Sequence, residues 1–330
     1  MKAWLLDGYN GITTLRLAEV ADPSPKAGEV VLEVRYAGLN PADAYLAQKL
    51  YPAKPAFPHV LGREGLGSVC AIGTGVTAWN IGEQALIMPG DTGANRWGTF
   101  AQKVAIPAIE LLRVPTGWDL KAAAAGPLVY LTAWQALTQW GPLPQGAIVL
   151  VTGASGGVGS ATLQLAAAMG HETIALTRSD AKAPALRSLG ARFILNCTSK
   201  GWAKSLKEQL AGRRVHLAVD NVGGEIFADV IDTLGMNGAV SVVGRLAGPV
   251  PEFNTAMLFF RRLRIGGVAV GSWSPQEMPA QWKQVVDLLD RCHRQPIIDH
   301  IYPCADVLKA FARLAEGPIG KVMIEMPPAP

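Results

Sequence analysis

The sequence predicts an α/β chain: a doubly wound parallel sheet joined to a β-barrel or sandwich-like domain. Three observations predict it. Gly146–Met169, GAIVLVTGASGGVGSATLQLAAAM, reads as a buried strand, a glycine-rich turn and a helix. From Lys121 onward, helical and strand patterns alternate. Before about residue 118 the chain is instead a series of short strand patterns broken by Gly and Pro.

In that first region strands are expected at Lys2–Leu6, Thr13–Leu17, Val30–Tyr36, Leu66–Ile72, Gln84–Met88 and Phe100–Ile106, separated by turns such as Asp22-Pro23-Ser24-Pro25. The stretch Asn40–Pro58 is Pro-rich and reads as loop and short helix, carrying Tyr45 and Tyr51. Ala147–Val151 is an apolar run suited to a strand covered on both faces. After it, strands are expected at Thr173–Thr177, Phe193–Leu195, His216–Asn221, Val240–Gly244 and Leu263–Val270, with helices around Lys182–Leu189, Trp202–Leu210 and Glu225–Leu234. Strands linked by crossover helices fit two mononucleotide halves of a parallel sheet. A helix near Pro279–Cys292 and a tail strand at Gly320–Ile324, able to return to the first domain, complete the chain.

The 330 residues suffice for two domains with substantial cores, and a net charge of +4 singles out no acidic partner. Arg261, Arg262 and Arg264 are interleaved with apolar residues, which reads as surface or edge charge rather than a nucleic-acid footprint. Cys70, Cys197, Cys292 and Cys304 form no C-x-x-C pair, which speaks against a disulfide framework and for a reducing, cytoplasmic setting. The N-terminal apolar run is too short for a signal peptide. No Asp, Glu, Lys or Arg occurs from Ala122 to Gly170. Ala122–Trp140 is long enough to span a membrane, but Gly126-Pro127 breaks it and Gly141-Pro142 ends it, so a buried core is expected and no membrane partner.

A strand, a small-residue turn and a helix N-terminus together make an anion site, because free N–H groups and the positive end of the helix dipole face the turn. The spacing Ala154-x-Gly156-x-x-Gly159, with Ser155, Gly157 and Val158 between, matches the dinucleotide fingerprint with Ala at the first position. Gly156 would admit a pyrophosphate, and Gly159 would let the helix pack on the strand. The next strand ends Leu176-Thr177-Arg178-Ser179, with Lys182 one turn on and no carboxylate at Thr177 or Arg178. Asp180 stands where a helix N-cap is expected. A cation at this place favours the 2′-phosphate of NADPH over NADH; the alternative is that Arg178 and Lys182 are ordinary solvated charge.

Across essentially its whole length the chain resembles a medium-chain dehydrogenase/reductase, most similar to the zinc-independent branch of quinone oxidoreductases and 2-enoyl thioester reductases. The resemblance rests on Gly38-Leu39-Asn40-Pro41-Ala42-Asp43, Leu131-Thr132-Ala133-Trp134-Gln135-Ala136-Leu137, the turn at Gly153–Gly159, Asp220-Asn221-Val222-Gly223-Gly224 and Gly320-Lys321-Val322, in the family's order. It implies a GroES-like catalytic domain over 1–120 and 272–330, a Rossmann NADPH-binding domain over 121–271, and an active site in the cleft. In zinc-dependent relatives a Cys falls where Asn40 stands, a His where Arg63 stands and a ligand near Leu128; none is a ligand here, and no cysteine lies between Cys70 and Cys197 to form a structural zinc lobe. No metal is therefore expected.

Without zinc, hydride addition to an activated alkene leaves an enolate that needs a hydrogen-bond donor and a proton. The resemblance implies Tyr51, in QKLYPAKP, for that role; the alternative is that it packs or hydrogen-bonds the cofactor. It implies Asn40 as the group orienting nicotinamide or substrate, the alternative being a turn Asn before Pro41. Thr132 falls among the cofactor contacts. Asn221, at a strand's C-terminal end, meets the cofactor or caps the next helix. Gly244 permits close cofactor approach or turns the chain, and Lys321 reaches the cofactor or solvent. His59 and His300 read as structural or exposed. The resemblance further implies a homodimer pairing the Leu263–Val270 strand across a two-fold axis, which would cover an apolar edge.

The function expected is NADPH-dependent reduction of a small electrophile: a quinone, an enone or a 2-enoyl thioester. Phe57, Trp97 and Trp273 could line any of these sites, while Gly62-Arg63-Glu64-Gly65 and Phe259–Leu263 lean toward enoyl reductases. A second reading is an NADPH-binding structural or sensor protein without turnover.

Overall fold

The computed structural model of the chain describes residues 1–249 and 253–328. It divides into two compact units, Met1–Leu128 with Gly271–Lys283 and Gln295–Pro330, and Val129–Val270 with Gln284–Arg294. Against the division expected from the sequence, the first junction lies a little later, and the second half of the helix Met278–Arg291 goes with the second unit.

The first unit opens with β1 (Lys2–Leu6), β2 (Arg16–Glu19), β3 (Glu29–Gly38), β4 (His59–Val60), β5 (Gly65–Ile72), β6 (Gln84–Ile87), β7 (Lys103–Pro107) and β8 (Leu111–Arg113). β1 lies between β2 and β4, all antiparallel. β3 pairs with both β5 and β7, and β5 leads on to β6 and β8. Val30, Leu32 and Val34 of β3 turn into a core shared with Leu6, Val60, Val69, Ile87 and Phe100. The strand expected at Thr13–Leu17 begins later, because Gly11, left-handed at φ +86°, first opens a 3₁₀ turn over Ile12–Thr14.

The second unit contains β9 (Ile148–Val151), β10 (Glu172–Thr177), β11 (Ala191–Asn196), β12 (Val215–Asp220), β13 (Leu234–Val242) and β14 (Arg264–Gly267). Their order is β11-β10-β9-β12-β13-β14 and every pair is parallel. That is the doubly wound Rossmann order, in which the chain reverses direction across the sheet beside β9. Ile148, Leu150, Ile174, Leu176, Ala218 and Val240 form a core with Trp202, Leu206, Phe227 and Ile231 of the crossover helices. β13 starts earlier than expected and carries an irregularity where Asn237 has φ +58°. β14 is shorter than Leu263–Val270: it stops at Gly267, and Val270–Ser272 is a 3₁₀ turn. It forms one edge of the sheet.

The charge-free run is interior. The helix Pro127–Thr138 buries Val129, Tyr130, Leu131, Ala133, Ala136 and Leu137, all four residues of β9 are buried, and so is most of the helix Gly157–Ala168. Among the described residues no helix is long and apolar enough to cross a membrane.

The chain then returns to the first unit as β15 (Ile298–Pro303) and β16 (Lys321–Glu325), with the amphipathic helix Val307–Glu316 between them. β16 runs parallel to β15 and antiparallel to β3, pairing Met323 with Gly38. The Leu39 N–H donates to Val322 O at 3.0 Å, which brings Lys321 beside Asn40 although the two lie at opposite ends of the sequence.

Candidate active site

In the first unit the end of β3, the helix Pro41–Ala47, the segment before β5 and the start of β16 meet around one buried polar cluster. Pro41 suits the first turn of its helix because its fixed φ is already helical and its missing N–H would have had no intrahelical acceptor. Asn40 precedes it in extended conformation with its side chain inside. The Lys321 ammonium donates to Asn40 Oδ1 and to Leu39 O, both at 2.8 Å, and lies 2.5 Å from Glu64 Oε1. Asn40 Nδ2 donates to the same Glu64 oxygen at 2.9 Å. Lys321 and Glu64 side chains are 4% and 0% exposed, so this is an ion pair removed from water. Glu64 Oε2 is buried without a hydrogen-bond partner. A Cβ at Gly38 would stand 2.6 Å from Glu64 Oε1, so the carboxylate occupies space that only a glycine leaves.

Asp43 lies beneath this cluster, fully buried. It accepts from the N–H of Asn40 at 2.8 Å and from the N–H of Gly62 at 3.2 Å. Burial pushes its carboxyl up to about 6, against the opposing pull of these donors and of the Arg63 and Lys321 charges.

Tyr51 and Arg63 are both half-buried. Arg63 Nη1 donates to the Tyr51 oxygen at 2.5 Å, and Arg63 Cζ lies 4.7 Å from the Tyr51 ring centroid. Arg63 Nη2 donates to Gly90 O at 3.4 Å. Among the described residues no group of three or more His, Cys, Asp or Glu side chains is placed to hold a metal ion.

In the second unit the turn after β9 has the expected shape. Gly153 is left-handed at φ +56°, and Gly156 is the N-cap of the helix Gly157–Ala168. A Cβ at Gly159 would stand 2.3 Å from Gly153 O and 2.7 Å from Ala154 Cα, so helix and turn are in direct backbone contact. A Cβ at Gly156 would meet only Gly153 O, at 3.5 Å, leaving the backbone there open. The first N–H groups of this helix, from Gly157, Val158 and Gly159, have no intrahelical acceptor. The Ala154 N–H donates to Leu176 O at 3.2 Å, tying the turn to β10. At the end of β10, Thr177 is buried, its hydroxyl accepts from the Ser179 N–H at 3.2 Å, and Arg178 is exposed. Lys182 Nζ donates to Ser155 Oγ at 3.0 Å, which joins the two places the sequence singled out. Asp180 is not an N-cap: it lies inside a 3₁₀ turn that Ser179 precedes.

At the neighbouring end of β12, Asp220 and Thr152 lock the sheet's switch point. Thr152 Oγ1 donates to Asp220 Oδ1 at 2.7 Å, and Asp220 accepts from the N–H groups of Val222 and Gly223. Asn221 Nδ2 donates to Thr152 O at 2.8 Å, while Asn221 Oδ1 is buried with no partner. Asn221 does not cap the following helix, whose N-cap is Glu225. Gly244 has no left-handed conformation; a Cβ there would stand 2.9 Å from Asn221 O, so its smallness serves close approach to that strand end. Thr132 is buried on the helix Pro127–Thr138.

The structure thus brings Asn40 and Lys321 together in one unit, and Ala154–Gly159, Lys182, Asn221 and Gly244 around one strand end or turn in the other. Lys321 does not reach solvent: its ammonium is held by Leu39 O, Asn40 Oδ1 and Glu64 Oε1. Sequence reasoning gave no individual role to Asp43, Glu64, Thr152 or Asp220, and it read Arg63 as a missing zinc ligand and, with Glu64, as part of a block that leans toward enoyl reductases. The signal available was that charged residues, Asp43 and Glu64, sit inside otherwise apolar or glycine-rich blocks.

Residues 157–291 match the family model described as zinc-binding dehydrogenase, and 26–116 match the alcohol dehydrogenase GroES-like domain. The chain is 29% identical to a quinone oxidoreductase of Pseudomonas aeruginosa over 310 residues, covering 93% of this chain and 94% of that protein. Among solved structures it is similar to an NAD-dependent alcohol dehydrogenase, with a TM-score of 0.88 at 27% identity over 98% of this chain and 99% of the other. It is equally similar to a mycobacterial protein complexed with NADPH, with a TM-score of 0.89 at 26% identity over 98% and 100%. Two domain models in tandem, a relative matched nearly end to end and two whole-chain structural likenesses agree: the chain belongs to the medium-chain dehydrogenase/reductase family, among its quinone oxidoreductase-like members.

Proposed function

We propose that this chain is an NADPH-dependent, zinc-independent reductase of electron-poor double bonds in quinones and enones, with 2-enoyl thioesters as the alternative substrate class. The observation that carries the reading is the Lys182–Ser155 contact beside the glycine turn, with Arg178 exposed at the end of β10 and no carboxylate at that strand end. The quinone oxidoreductase relative supports the substrate class, and the mycobacterial likeness supports the cofactor.

The residues present fit a dinucleotide. Open backbone at Gly156 and the N–H groups of Gly157–Gly159 suit a pyrophosphate. Arg178, Lys182 and Ser155 suit a 2′-phosphate, and the unpartnered Asn221 Oδ1 is a buried acceptor awaiting a donor. When bound, NADPH supplies a hydride. Tyr51 donates the proton that completes the reduction. Asn40, its carboxamide orientation set by Lys321 and Glu64, fixes the polar wall of the site. β14, at the sheet edge, pairs two copies into a homodimer.

Oxidation of NADPH by the purified chain with a naphthoquinone, a simple enone and crotonyl-CoA, with and without a metal chelator, tests the reading. Turnover of the first two, unaffected by chelation, supports it. Turnover of crotonyl-CoA alone moves the assignment to thioesters, and tight NADPH binding without turnover moves it to a sensor or structural role.

A further inference from the structure

Arg63 grips Tyr51 more closely than packing requires. Its Nη1–H donates to the phenol oxygen at 2.5 Å, and its Cζ lies 4.7 Å from the ring centroid. Gly90 O braces Nη2 from elsewhere. The Arg63 Nε is nonetheless buried with no hydrogen-bond partner. Leaving a buried donor unsatisfied is unfavourable, so the guanidinium is kept at Tyr51 at the expense of that N–H.

A phenol oxygen that accepts a hydrogen bond from a cation keeps its own hydrogen free to donate. A carboxylate or carbonyl in the same place would take that hydrogen instead. A guanidinium has no acceptor and stays charged throughout, so it can neither take the proton nor compete for it. We propose that Arg63 is a positioning residue for proton transfer: it makes Tyr51 a donor toward the substrate and stabilises the phenolate left behind. The inference rests on Tyr51 being the proton donor of the proposed reduction.

The step balances. The substrate gains the hydride of NADPH, with its electron pair, at the β-carbon, and its π pair moves to the α-carbon and carbonyl oxygen. The Tyr51 O–H bond breaks, the proton goes to the enolate, and the bonding pair stays on the Tyr51 oxygen beside Arg63. A solvent proton then restores Tyr51, so each turnover consumes one NADPH and one proton.

Kinetics of Arg63→Met, Arg63→Lys, Tyr51→Phe and the double variant Tyr51→Phe/Arg63→Met test this. Arg63→Met is expected to lower kcat roughly 10- to 100-fold with the KM for NADPH nearly unchanged, and Arg63→Lys to fall in between. If Arg63 acts through Tyr51, the double variant is no slower than Tyr51→Phe alone. A second readout needs no turnover. The Raman Fermi doublet of tyrosine reports whether the phenol oxygen accepts or donates, and subtracting the Tyr51→Phe spectrum isolates Tyr51. The native protein is expected to show a strong acceptor that Arg63→Met and, in part, Arg63→Lys lose. Additive losses in the double variant, or a Tyr51 signature indifferent to Arg63, would overturn the inference while leaving Tyr51 as donor. An unchanged kcat in Tyr51→Phe would overturn the donor reading and this inference with it.

Discussion

Lys321 Nζ lies 2.5 Å from Glu64 Oε1, and both side chains are out of reach of solvent. The pair joins the last strand of the chain to the segment before β5, and Asn40 bridges the two through its carboxamide. Burying two charges is costly, and their attraction offsets the cost only while both are present. Lys321→Met is therefore expected to destabilise the protein by about 3–5 kcal/mol, read from urea unfolding. Adding Glu64→Gln should recover a large part of the loss. A single-variant loss below about 1 kcal/mol would mean that the pair is solvated in practice.

Asp43 adds a pH dependence. Its carboxyl titrates near 6 in the folded chain against an ordinary value of 3.8. Between these values the folded state binds more protons than the unfolded one, so stability falls as pH rises. The contribution is fully present below about pH 4 and lost above about pH 6, a difference on the order of 2–3 kcal/mol. Asp43→Asn should flatten this part of the stability curve. Below about pH 4, where Asp43 is protonated in both states, it should also lower stability, since its single carbonyl oxygen cannot serve both the Asn40 and Gly62 N–H groups. Parallel curves for the native and variant chains would remove Asp43 as the source.

Arg178→Ala is expected to weaken NADPH binding about tenfold, equivalent to roughly 1.4 kcal/mol for a charge-assisted contact, and to leave NADH binding nearly unchanged. Fluorescence titration with both cofactors measures it. Equal losses for the two would return Arg178 to the status of a solvated charge.

Gly159→Ala places a methyl 2.3 Å from Gly153 O and 2.7 Å from Ala154 Cα, both backbone atoms that cannot swing aside. The helix must move off the turn, so cofactor affinity is expected to fall at least tenfold, with a drop in thermal stability on the order of 1–3 kcal/mol. Gly156→Ala meets only one atom, at 3.5 Å. It should be tolerated in the free protein and act on cofactor binding alone, a contrast that calorimetry of the two variants resolves.

How much of this was legible in the sequence follows from what is local. The turn at Gly153–Gly159 could be read because one strand, a few glycines and one helix define it within a short stretch, and the sheet order follows from alternating elements. β14 was overdrawn because its apolar pattern continues past Gly267 while the backbone turns away. The contact between Lys182 and Ser155 was half visible, each residue being singled out but not their meeting. The Asn40–Glu64–Lys321 cluster was not visible as a unit, because it depends on β16 pairing with β3 and on space left by Gly38. Arg63 was read mainly through what it replaces in metal-dependent relatives, and its grip on Tyr51 appears only when the segment between β3 and β5 is folded.

The central claim is hydride transfer from NADPH to an electron-poor double bond, completed by a proton from Tyr51. The most direct test is the steady-state oxidation of NADPH and NADH by native chain and Tyr51→Phe with a naphthoquinone and a simple enone as acceptors. Turnover is expected with NADPH in clear preference to NADH, with enone reduction by Tyr51→Phe slowed roughly 10- to 100-fold at nearly unchanged NADPH affinity. No acceptor-dependent oxidation of NADPH, or a Tyr51→Phe variant as fast as the native chain on the enone, would contradict the account.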